Sequence, residues 1–106
     1  MQQGFTSVQN CLDGDNPTGG HVKGVGIDIQ WQNGPLGRGD DRKDPNGAFV
    51  EDVIVAAIQR LQFYNEGKYR CRENSLAITH LEEALHWLEA RTKDREKRAV
   101  EGTHTV

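Results

Sequence analysis

The chain has 106 residues, 35% of them hydrophobic and 7% aromatic, with 12 glycines and a formal net charge of −3. That is material for one lean domain. No apolar run approaches the roughly 18 residues a membrane helix needs, and the N-terminus lacks the basic-then-apolar pattern of a secretory leader. The acidic balance argues against binding nucleic-acid polymers, which requires a basic surface to neutralise phosphates. Cys11 and Cys71 are too few and too far apart for a disulfide framework or a zinc site, so a cytoplasmic protein with reduced thiols is expected.

Residues 1–47 hold ten of the glycines and all three prolines, with apolar residues thinly spread. Residues 1–20 therefore read as a flexible segment, followed by a single domain over 21–106. Val25, Ile27, Ile29 and Trp31 alternate with Gly26, Asp28, Gln30 and Gln32, which predicts a β element at about 24–33. Asn33-Gly34-Pro35 closes it as a turn. Phe5 and Val8 are candidates for a partner strand. Residues 34–46, with Arg38, Asp40, Asp41, Arg42 and Lys43, read as an exposed loop.

A first helix is expected over about 47–66. Val50, Val53, Ile54, Ala57, Ile58 and Leu61 recur at helical spacing, and Phe49, Ala56 and Phe63 add a second stripe. Asn46 stands where an N-cap belongs, Glu51 and Asp52 suit the first turn, and Gly67 marks the exit. A second helix is expected over about 72–101, with Ile78, Leu81, Ala84, Leu85 and Leu88 as its stripe. From Arg91 the stripe gives way to alternating charges, and Gly102 ends the helix. The result is a mainly α fold: an antiparallel two-helix hairpin with a small N-terminal β element. A hairpin has no third layer, and its first helix is apolar on two sides. Self-association buries the surplus, so the fold is expected to be completed by oligomerisation.

Most candidate motifs dissolve on inspection. Gly24-Val25-Gly26 precedes a strand and no Gly-Lys-Ser/Thr follows, so it is no phosphate loop. Asp13, Asp15 and Asn16 open like a calcium loop, but Pro17 takes a ligand position and the closing Glu is missing. Arg38-Gly39-Asp40 has no extracellular context. His80 and His86 are on different helix faces, and His21 and His104 have no ligand-type neighbours, so no metal site is expected. Cys71 reads as a buried cysteine at the hairpin tip. Glu82, Glu83 and Glu89 read as a solvated face pairing with His86, Arg91 or Lys93. No catalytic constellation and no cofactor site is expected. Arg91, Arg95 and Arg98 are different. They share one helix face, and stacked guanidinium forks suit phosphate better than a generic complement to the helix dipole, for which lysine would serve.

At Cys71-Arg72-Glu73-Asn74-Ser75-Leu76-Ala77, Leu81 to Leu88, Arg91-Thr92, Val100 to His104 and Gln30 to Pro35, the chain resembles the phage Thoeris anti-defence sponge family. That family shares its helical hairpin with the phage anti-CBASS sponges. The resemblance implies a non-enzyme acting in the host bacterial cytoplasm. Its ligand would be a TIR-derived cyclic ADP-ribose isomer, glycocyclic ADP-ribose, held away from the effector by a dimer or hexamer. Some members also hold cyclic dinucleotides or trinucleotides at a second site, which the match does not place on this chain. Position by position, the family's stacking aromatic falls on Tyr64, its polar pocket residue on Asn74, its phosphate-binding arginines on Arg91 and Arg95, and a loop arginine on Arg38. Tyr64 and Tyr69 stand where phenylalanine is usual, and Ala99 replaces a common glycine. The competing readings are a helical interaction module whose arginines meet acidic partners, and a small-nucleotide hydrolase.

Overall fold

Backbone pairing, more than apolar patterning, organises the N-terminal part of the chain. The computed structural model describes residues 1–106 and separates into two units, one of Met1–Phe49 with Val100–Val106 and one of Val50–Ala99. In the first unit, strands β1 (Ser7–Asp13), β2 (Asn16–Gly24) and β3 (Ile27–Gln30) form an antiparallel sheet in the order β1-β2-β3. The register runs Ser7 opposite Lys23 to Asp13 opposite Asn16, with an irregularity between Cys11 and Leu12, and then His21 opposite Gln30 to Gly24 opposite Ile27.

This sheet overturns the expectation of a mainly α fold with a small β element. The segment 1–20, expected to be flexible, holds all of β1 and the start of β2. The expected strand at 24–33 shrinks to β3, because Val25 and Gly26 form the turn that joins it to β2. The physical reason lies in β2, whose sequence Asn-Pro-Thr-Gly-Gly-His-Val-Lys-Gly shows no alternation of apolar and polar residues. Glycine is ordinarily poor in a strand, but here it is required. At Gly20, with φ of 137°, a Cβ would overlap the Gln9 carbonyl oxygen on β1. The two strands approach so closely that only a bare backbone fits there.

Beyond β3 the chain turns back on itself. Trp31 bridges Ala48 in parallel, with Ala48 N–H donating to the Gln30 carbonyl at 2.7 Å and Gln32 N–H to the Ala48 carbonyl at 3.0 Å. Asn46 takes no helix cap. Its Oδ1 accepts from Asn33 N–H at 2.8 Å while its own N–H donates to Gln32 Oε1 at 2.8 Å, closing the loop between them.

The second unit is the helical pair α1 (Val50–Glu66) and α2 (Arg72–Lys97), packed on each other across the link at 67–71. Asn65 clasps that link, its Oδ1 accepting from Cys71 N–H at 3.2 Å and its Nδ2 donating to Ser75 Oγ at 2.9 Å. Ile58 is the one core residue less than a tenth exposed. Ile78, Leu81, Ala84, Leu85 and Leu88 are half-buried, whereas Phe63 and Trp87 remain 60% and 72% exposed. Neither helix is long and apolar enough to cross a membrane.

The second helix ends before Gly102. Arg98 is its C-cap, and Ala99 N–H reaches the Glu96 carbonyl at 3.0 Å with Ala99 at φ of 59°. This is the left-handed closure that glycine favours. Holding an L-residue there costs about 1 kcal/mol, and glycine gives back roughly half of that by loosening the unfolded chain. Ala99→Gly should therefore stabilise the protein by about 0.5 kcal/mol, a rise of a few degrees in melting temperature. A fall in melting temperature would show that the closure is not strained.

Candidate functional site

Aromatic side chains gather at the linked end of the hairpin. Phe63 and Tyr64 at the end of α1, Glu66, and Gly67, Lys68 and Tyr69 in the link enclose an open hollow of about 360 Å³. Helical spacing brings Arg60 onto the same cluster: its guanidinium carbon lies 5.0 Å from the ring centroids of both Phe63 and Tyr64. Its Nε donates to Tyr64 Oη at 3.1 Å. Lys68 Nζ stands 5.3 Å from the Tyr69 ring centroid. Exposed cation–π contacts of this kind contribute about 0.5–1 kcal/mol each, enough to bias rotamers but too little to lock them.

Asn74 is tied to this end of the hairpin. Its Nδ2 donates to the Tyr69 carbonyl at 3.3 Å, and its backbone N–H donates to Cys71 Sγ at 3.4 Å. Cys71 is thus the N-cap of α2 and half-buried, in place of the buried tip cysteine that the sequence suggested. A thiol accepts weakly, and Asn65 supplies the second hold on the same turn. The structure therefore brings Tyr64 and Asn74 to one end, joined through Tyr69.

Arg91 and Arg95 sit at the other end of the same helix. Seventeen positions separate Asn74 from Arg91, about 26 Å at 1.5 Å per residue. Arg91 is exposed, and Arg95 is half-buried on the continuation of the apolar stripe through Leu88 and Thr92. Arg98, which the spacing aligned with them, pairs with Asp94 through Nε and Oδ2 at 3.0 Å. Glu83 faces His80 at 3.6 Å, a partner on the preceding turn that differs from the expected His86, Arg91 and Lys93.

Arg38 belongs to the first unit, on the loop that carries a 3-10 turn at Gly39–Asp41. The C-terminal residues hold this loop. Arg38 Nη1 donates to the Glu101 carbonyl at 3.0 Å, and Arg42 Nη1 meets both Glu101 carboxylate oxygens at 2.9 and 2.7 Å. Gly37 N–H donates to the Gly102 carbonyl at 2.7 Å, and a Cβ on Gly102 would overlap the Gly37 carbonyl oxygen. Glycine is required there both for that approach and for its φ of 78°.

A family model described as the Acb2/Tad1 hairpin domain matches residues 23–93. The chain belongs to this family, that of the phage Thoeris anti-defence sponges. It is also 47% identical over 76 residues to a protein named Thoeris anti-defense 1 from Bacillus phage SBSphiJ7. That match covers 72% of this chain and 51% of the relative, so the chain spans about half the length of the protein it resembles. The stretch matched by the Acb2/Tad1 model includes Arg38, Tyr64, Asn74 and Arg91. Arg95 and the Glu101 tail lie outside it, as does β1.

The sequence reading passed over Arg60, Phe63 and Lys68 as site residues. The available signal was the spacing of Arg60 to Phe63 and Tyr64, i to i+3 and i+4 on one helix face. For the Arg38 loop, the partly exposed Arg42–Glu101 pair is worth at most about 1 kcal/mol. Glu101→Ala should thus speed hydrogen exchange at the Gly37 amide by up to about fivefold while leaving the α1 amides unchanged. An unchanged Gly37 rate would mean that the backbone contacts alone hold the loop.

Proposed function

We propose that this protein blocks Thoeris anti-phage defence by sequestering a glycocyclic ADP-ribose signal without chemically altering it. The observation that carries this reading is the aromatic hollow at the hairpin tip. A nucleotide stacks on Tyr64, Asn74 offers an amide to a base or sugar edge, and Arg91 and Arg95 hold the diphosphate as planar forks. The resemblance also carries over Arg38, on the loop of the first unit, as a ligand-binding arginine. Family membership supports the assignment to Thoeris, as does the name of the phage relative.

The spread of these residues along α2 has a consequence for assembly. A ligand of this class is on the order of half the 26 Å between Asn74 and Arg91, so one hairpin does not touch it with both. In a two-fold pair, the tip of one copy lies beside the arginine end of the other. The exposed Phe63, Leu76 and Trp87 supply apolar surface for that pairing.

The direct test is depletion and release. Protein incubated with glycocyclic ADP-ribose should remove it from solution, and heat denaturation should return it intact. Returned but altered ligand would indicate a hydrolase, and no depletion would favour a protein-interaction module. Light scattering should give a dimer or a multiple of one at micromolar concentration, and an 11.9 kDa monomer would remove the shared pocket.

Complementation tests the sharing itself. Asn74→Ala and Arg95→Ala should each bind weakly as homodimers. Refolded together at equal amounts, the two variants should regain roughly a quarter of the sites, because each mixed dimer has one doubly damaged site and one intact site. Mixed dimers without recovered sites would place all the contacts within one chain.

A further inference from the structure

Arg60 is held in place at one atom and open at the others. Its Nε is spent on Tyr64 Oη and its guanidinium plane rests against Phe63 and Tyr64. Its two terminal amino groups bond to nothing in the chain. No carboxylate pairs with it either. Glu66 and Lys68 line the neighbouring hollow with opposite charges, and Arg60 beside the aromatic cluster is a cation with no carboxylate on it. An arginine fixed through Nε presents its terminal amino edge as a preformed fork, the geometry that grips a phosphate at two points.

We propose that Arg60 is a ligand-contacting residue that binds the diphosphate of the nucleotide stacked on Tyr64, with the Tyr64 hydroxyl as its anchor. The inference rests on the sequestration reading and adds a residue to that site. It also gives the hydroxyl of Tyr64 a purpose, since a phenylalanine there would stack as well and could not accept from Nε. The departure from phenylalanine at this position then becomes a determinant of which isomer is held, because it fixes where the charge sits relative to the stacked ring.

Titration calorimetry with glycocyclic ADP-ribose at several salt concentrations tests this on the full chain. Arg60→Ala should weaken binding by about tenfold, and Arg60→Lys should not restore it, since lysine lacks the fork. The slope of affinity against salt should also flatten in Arg60→Ala, because one phosphate contact is gone. Tyr64→Phe, which keeps the ring and therefore the packing, should weaken binding a few-fold. In the Arg60→Ala background it should add no further loss, the mark of two residues acting as one unit. Unchanged affinity in Arg60→Ala, an unchanged salt slope, or additive losses would overturn the proposal and leave Arg60 as packing on the rings. If the wild-type protein does not bind the nucleotide, the sequestration reading falls and this inference falls with it. If the wild type binds and Arg60→Ala matches it, only this inference falls.

Discussion

Two helices have one mutual interface, and α1 and α2 carry more apolar surface than that interface covers. Ile58 alone is well buried, while Val50, Phe63, Leu76 and Trp87 all stay more than two-fifths exposed. At about 25 cal/mol for each Å² of apolar surface removed from water, side chains of this size are too costly to leave wet without a reason. Much of the rest follows from the surplus. On the reading proposed above, it gives the hairpin cause to associate and leaves the rings at the tip exposed to a ligand.

The helices were legible in the sequence because their information is periodic. Half-buried positions Ile78, Leu81, Ala84, Leu85 and Leu88 are the ones that the spacing selected. Their ends were less legible. A reading keyed to glycine places the stop of α2 at Gly102, whereas the chain stops at Arg98 by forcing Ala99 into a conformation glycine would take more easily. The start of α1 misled for a related reason. Asn46 has the chemistry of a cap, but Asn33 and Gln32 compete for it and win.

The sheet was hardest to see, and the cause is specific. β1 and β2 are built of amides, glycines and a proline, with Val8 and Leu12 facing solvent. Their pairing depends on close backbone approach at Gly20, which leaves no trace in a hydrophobic pattern. Part of the site was hidden differently. Asn74 and Arg91 fall in blocks that resemble the family, and Tyr64 falls between two such blocks, so they could be proposed by position. Arg60 could have been found from its helical spacing to two rings one turn away, whereas Glu101 gains its place from a loop some sixty residues earlier. Contacts across that separation are invisible to spacing.

The change of composition at Arg91 has a simple geometric origin. The first helix has 17 residues and the second 26, so on lengths alone α2 outruns its partner by about 13 Å. An apolar stripe is useful only where another helix lies against it. Beyond Leu88 there is no more of α1 to face, and the sequence turns to Arg91, Lys93, Asp94 and Arg95. The overhang is therefore free to carry charge without desolvating it against a neighbouring helix. An anionic ligand gains from that arrangement twice. Arg91 is exposed on this overhang, and the C-terminal end of a helix already favours cations. At the far end of the same rod the tip offers rings, with Arg60 against two of them. On the sequestration reading proposed above, a hairpin with unequal arms separates Tyr64 from Arg91 and Arg95, and a second copy laid against it would bring the two ends within reach of one small molecule.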